Sequence, residues 1–216
     1  MPSVNTRAFF SKTDRAKYIS HLDLNGVIQR AIRRSRLPIW RTEGFNPHVY
    51  IQFMLPLPLG QEGVHEAVDF RMLQPLPPQE IIDRLNAALP DGICITAVSS
   101  PDRGSGDIAL AEYDIYGDIN PNAFAEFLSQ DSIITEKKTK KGTAEIDLKP
   151  LIAAAESNAE RITLRLPAGS SLNINPTLVL NAFAAFTSAS AAQGAHLPPL
   201  RIIRTKILCA DGTEFA

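Results

Sequence analysis

Cysteine is almost missing from this chain: Cys94 and Cys209 are the only two in 216 residues. That excludes a secreted disulfide framework, a paired Cys-x-x-Cys zinc site and an iron–sulfur cluster ligated by this chain's cysteines alone. Long apolar runs are missing too, since every one breaks well before the roughly 18 residues a transmembrane helix needs. The opening "MPSVNTRAFFSKTDR" has no signal-peptide core. No G-x-x-x-x-G-K-[ST] cradle, helix-opening G-x-G-x-x-G or G-x-S-x-G elbow occurs, so nucleotide cofactors and serine-hydrolase chemistry find no support. These absences lead us to expect a cytoplasmic protein with no bound cofactor, no metal and no membrane partner.

What is present is ordinary globular composition, 44% hydrophobic and 21% charged, which rules out a disordered chain. The net charge of −1 conceals an uneven distribution. Residues 1–60 hold nine Lys/Arg against three Asp/Glu, a net of +6, and residues 61–135 hold three against thirteen, a net of −10. Residues 136–216 hold ten against seven, a net of +3. A near-neutral protein can therefore present a basic face.

Periodicity divides the chain into two halves, 1–100 and 112–216, around the turn-rich "PDRGSGDIAL". "TRAFFSK" reads as a strand extended or followed by "AKYIS", and "SHLDLNGVIQRAIRRSRLP" as a helix capped by Ser20 and stopped by Pro38. "VYIQFMLPL" and "HEAVDFRML" read as strands, "PPQEIIDRLNAAL" as a helix and "GICITAVSS" as a closing strand. The order β-α-β-β-α-β carries a ferredoxin-like signature. The second half repeats it through "EYDIYGDI", "NPNAFAEFLSQ", a hairpin in "IITEKKTKKGTAEIDL", "RITLRLPA", a helix from Asn175 and "LRIIRTKILC". The expected fold class is α+β, two ferredoxin-like (βαββαβ) halves with antiparallel sheets.

Arg30, Arg33 and Arg34 share one face of the first helix, at i, i+3 and i+4. Like charges so spaced repel unless anions answer them, either phosphates or carboxylates of the acidic middle segment. Arg36 and Arg41 follow, and Lys12, Arg15 and Lys17 precede the helix. "RTEGFNPHVYIQF" then sets Phe45, Asn46 and His48 around a Gly44 turn. Aromatic groups beside guanidiniums suit unstacked bases, although Phe45 could equally plug a core and Asn46 simply shape the turn. "KKTKKG" (137–142) reads as a basic hairpin tip. Glu66 and Asp69 differ in strand parity and face opposite ways, so they do not form a catalytic carboxylate pair. His21 and His48 are the candidates for any acid–base role.

"YISHLDLNGVIQRAIRRSRLPI", "TEGFNPHVYIQFMLPLPLG" and "GVHEAVDF" together resemble a bacterial domain of unknown function found alone or at the C-terminus of radical S-adenosylmethionine proteins. Its pattern runs S-H-L-D, R-x-x-R-R, G-F-N-P-H and L-P-L-G with an acidic strand. "NINPTLVLNAF" and "RIIRTKIL" resemble its second half. The resemblance implies a radical SAM protein acting in trans as partner. The expectation is an RNA-binding or substrate-presenting accessory module rather than an enzyme on its own. Arg30, Arg33, Arg34 and Arg41 would hold phosphates, and Phe45, Asn46 and His48 would meet a base or partner. Two alternatives stay open: a metal-independent RNA-processing enzyme using His21 or His48, and an interaction domain with an acidic partner.

Overall fold

The computed structural model describes residues 3–139, 142–190 and 199–216. It is an α+β structure with antiparallel pairing throughout the strand registers described below. The chain forms two compact units, one running through Ile108 and including Glu214–Ala216, the other Ala109–Thr213. Among the described residues no helix is long and apolar enough to cross a membrane.

The first unit begins with β1 (Val4–Lys12). "AKYIS" does not prolong this strand. Asp14 takes a left-handed backbone at φ 53°, and Asp14–Tyr18 winds into a 3-10 turn. Helix α1 (His21–Arg34) starts where Ser20 Oγ accepts the Asp23 amide at 3.1 Å. It ends ahead of Pro38, because Ser35 Oγ turns back to donate to the Ile32 carbonyl at 2.7 Å and Arg36 goes left-handed at φ 54°. β2 (Ile51–Phe53) is three residues long, much shorter than the strand expected over "VYIQFMLPL". β3 (Glu62–Met72), α2 (Pro78–Asn86) and β4 (Ile93–Ser99) complete the unit. The strands lie in the order β4-β1-β3-β2, each neighbour antiparallel. Ala8, Phe10, Val68 and Phe70 pack with Ile28 and Ile32 of α1 and Ile81 and Leu85 of α2. Strand alternation thus leaves Arg7, Phe9 and Asp69 on the face away from the helices.

The second unit contains β5 (Ile108–Tyr116), α3 (Pro121–Ser129), β6 (Ile134–Thr139), β7 (Gly142–Asp147), β8 (Ala154–Ser157), β9 (Ile162–Pro167), α4 (Pro176–Ser190) and β10 (Arg201–Cys209). Its strands run β10-β5-β9-β8. The expected hairpin forms, but as a separate two-stranded sheet of β6 and β7. Its basic tip at Lys140 and Lys141 lies outside the described residues. The edge place beside β9 goes instead to β8, whose "AAES" has too little alternating hydrophobicity to signal a strand. Phe124, Phe127 and Phe183 meet at ring centroid distances of 5.2–5.8 Å and tie α3 to α4.

Candidate nucleic-acid interface

The "RTEGFNPHV" stretch is a hairpin projecting from the sheet. Ile39 bridges Met72, Arg41 bridges Val49, and the Thr42 amide donates to the His48 carbonyl at 2.9 Å. Gly44 takes φ 124°, a backbone open chiefly to glycine. Thr42 Oγ1 accepts the His48 amide at 3.1 Å. His48 Nδ1 lies 2.9 Å from Thr42 Oγ1 and 3.1 Å from the Asn46 carbonyl oxygen. His48 and the Asn46 backbone therefore hold the loop in shape, and Phe45 stands at its tip, completely exposed. Of the two readings of Phe45, the core plug is the one the fold rejects. Trp40 and Tyr50 flank the hairpin's base, with their ring centroids 5.2 and 5.0 Å from the Arg71 guanidinium carbon.

Arg30, Arg33, Arg36 and Arg41 are exposed. Among the described residues none of these four, nor Arg34, is in an ion pair, so the acidic middle segment does not answer them. Arg30 folds back along α1, so that a Cβ on Gly26 would sit 3.1 Å from its Nη1. Arg34 differs from its neighbours: its Nη2 donates to the Ala88 carbonyl just past α2, where the helix dipole favours a cation. Arg84 reaches from α2 to the Arg36 carbonyl at 3.5 Å, and Arg34 and Arg84 line an open pocket with Ser35, Ala87 and Ala88. No hydrogen bond or ion pair among the described residues joins these helix arginines to the 41–49 loop.

His21 opens α1 with its ring edge-on to Phe53 at 5.0 Å. His48 sits beyond the opposite end of β2, five residues from Phe53, a distance on the order of 15 Å along extended chain. The two histidines do not converge. Among the described residues no group of three His, Cys, Asp or Glu side chains is placed to hold a metal ion.

Sequence reasoning missed two polar clusters. One is buried: Lys12, Glu62 and Glu66 are all at most 2% exposed. Lys12 Nζ donates to the Ile19 carbonyl at 2.9 Å, Lys17 Nζ lies 3.6 Å from Glu62 Oε1, and the Glu66 carboxyl occupies the space a Cβ on Gly63 would need. Lys12 is thus an interior residue and not part of a basic surface. Its signal was a charge closing the apolar run "AFFSK". The other cluster is on the second unit's sheet, where Glu112 accepts from Arg165 Nη2 and Lys206 Nζ, both at 2.7 Å. Burial by itself pushes the Glu112 carboxyl up, but the hydrogen bonds and charges of Lys206 and Arg165 together bring it below the usual carboxylate value. Asp114 accepts from Thr163 Oγ1 at 2.8 Å and pairs with Arg161 at 3.5 Å. The Arg161 guanidinium is raised by its hydrogen bond to Tyr116 and by the Asp114 charge. The signal was strict alternation in "AEYDI" and "ITLRL", with charges on the outward positions.

None of the curated proteins compared with the chain matches it. A family model described as an uncharacterized protein conserved in bacteria (DUF2344) matches residues 5–176. That span takes in the first unit's strands from Asn5 onward, the arginine helix, the 41–49 hairpin and the second unit as far as the start of α4. The chain belongs to this bacterial family.

Proposed function

We propose that the chain is an RNA-binding or substrate-presenting accessory module, built from two ferredoxin-like halves and serving a separate radical SAM-type modifying enzyme. The observation that carries the RNA reading is the state of the first unit's arginines. Arg30, Arg33, Arg36 and Arg41 are exposed and meet no carboxylate among the described residues, although the chain has 23 acidic side chains. Guanidiniums spaced three and four apart repel one another, and phosphates relieve that repulsion through two-bonded forks. In the same unit the hairpin offers Phe45, an aromatic face in open water, and the Trp40–Arg71–Tyr50 group, both suited to an unpaired base. The accessory role rests on the resemblance of the motif set to the radical SAM-associated domain.

Titration of a labelled structured RNA at several salt concentrations tests the reading. Affinity should fall with salt by about 0.7–0.9 log units per phosphate contact per decade. Replacing Arg30 and Arg33 by Ala should flatten that slope by about two contacts while the melting curve stays parental. Absence of binding, or a double variant with the parent's slope, refutes it.

A further inference from the structure

The two units carry the same cross-strand ion pair with its polarity reversed. Arg7 on β1 faces Asp69 on β3, and Glu112 on β5 faces Arg165 on β9. In the strand orders, β1 and β5 hold the same place, as do β3 and β9. Alternation puts both pairs on the face opposite Ala8, Phe10 and Val68 in one unit and opposite Ala111, Tyr113 and Leu164 in the other, all of them buried.

What differs is the cover. Two loop segments lie over Arg7: Nη1 donates to the Ala216 carbonyl oxygen at 2.9 Å and Nη2 to that of Arg103 at 2.6 Å. The Phe215 ring stacks on the guanidinium with its centroid 4.5 Å from Cζ, and the Arg7 side chain is 0% exposed. Arg165, in the matching position, is 40% exposed. It spends Nη2 on Glu112, and its Nε, shielded from solvent, meets no acceptor among the described residues. Above it is a cavity of about 420 Å³ lined by Glu112, Asp114, Arg161, Thr163, Arg165 and Lys206, among others. Ala154 and Ala155 of β8, the end strand of the order, border the same cavity with small side chains. An end strand keeps main-chain donors and acceptors that an added peptide strand can pair.

We infer that this helix-free face of the second unit is a docking site for an extended peptide segment of a partner protein. Main-chain carbonyls of that segment accept from Arg165 and Arg161, and an aromatic side chain stacks on the Arg165 guanidinium, as Phe215 does on Arg7. Charge favours a peptide over a nucleic acid. Arg161, Arg165 and Lys206 are balanced by Glu112, Asp114 and Glu156 in the same lining, so a polyanion would meet as many carboxylates as cations. A neutral main chain does not meet that repulsion. The inference does not depend on the RNA reading of the first unit.

The test uses the whole chain and a fluorescein-labelled synthetic peptide, Asp-Gly-Thr-Glu-Phe-Ala, which copies the segment that covers Arg7. A second version carries benzoylphenylalanine in place of Phe for photocrosslinking. Saturable anisotropy is expected, weakened about tenfold by Arg165→Ala and nearly as much by Arg165→Lys, because lysine lacks the planar fork. A peptide with Ala in place of Phe should bind about tenfold more weakly too. Crosslinks on the unmodified protein, which need no variant to fold, should map to residues 154–165. Absence of saturable binding, or adducts confined to the first unit, overturns the inference. So does a single-stranded RNA that takes this face and loses affinity in Arg165→Ala where the peptide does not bind.

Discussion

Thr42 and His48 close the 41–49 hairpin through both their main chains and their side chains. The Thr42 amide donates to the His48 carbonyl, the His48 amide donates to Thr42 Oγ1, and the imidazole Nδ1 lies 2.9 Å from that same oxygen. The imidazole is therefore a brace for the loop, and Phe45 stands exposed at the loop's tip.

This separates two substitutions that the sequence alone would place together. His48→Ala and Thr42→Val should each loosen the loop, costing about 0.5–1.5 kcal/mol per lost hydrogen bond. Phe45→Ala should leave the melting curve unchanged and weaken RNA affinity about tenfold. Gly44→Ala should cost about 1–3 kcal/mol through backbone strain alone, since a Cβ there meets nothing within 4 Å. Urea unfolding and RNA titration on the four variants check the pattern. A stable protein whose affinity is lost on His48→Ala but not on Phe45→Ala would reverse the assignment.

Arg33 and Arg34 are adjacent in sequence and should behave differently. Arg34→Ala removes a charged donor from the Ala88 carbonyl past α2 and should cost about 0.5–1.5 kcal/mol. Arg33, exposed and without an ion pair, should change stability by less than about 0.5 kcal/mol when replaced by Ala. Chemical denaturation of the two single variants measures both. Equal costs would show that Arg34 does not cap α2.

Arg7 is fully buried and holds both oxygens of Asp69, at 2.8 and 3.0 Å. Arg7→Leu should destabilise by about 3–5 kcal/mol, because it strands a carboxylate and frees two main-chain acceptors. Adding Asp69→Leu should recover part of that loss. A double-mutant cycle in urea gives the coupling, and strictly additive losses would mean that the pair does not act as a unit.

Glu112 sets a pH dependence. Its carboxyl is lower in the folded chain than its ordinary value of about 4.3, so folding favours the ionised form. That contribution is complete above the ordinary value and disappears as pH falls from there through the lower folded value. Glu112→Gln should therefore melt below the parent at neutral pH, and the two curves should converge as the pH falls below the ordinary carboxylate value. A gap that widens on acidification would contradict the sign.

Much of the local structure could be read directly from the residues. Ser20 caps α1 because its hydroxyl reaches the amide three residues on, and Gly44 turns because a side chain there would strain the backbone. Parity sent Glu66 inward and Asp69 to the opposite face, since side chains alternate along any strand. Such features depend on neighbours a few residues away, and these the sequence contains explicitly. The charges were another matter. Only the apolar run that Lys12 closes marks it as buried, and nothing near Arg7 shows that Asp69, Arg103 and Ala216 surround it. Arg30 and Arg33 look the same in sequence whether carboxylates answer them or not. An ion pair forms between groups that the sheet makes adjacent, here 62 residues apart for Arg7 and Asp69 and 53 for Glu112 and Arg165. Periodicity decided which face each side chain takes, and the tertiary structure alone decided what that face meets, because electrostatic energy depends on distance in space and not on distance along the chain.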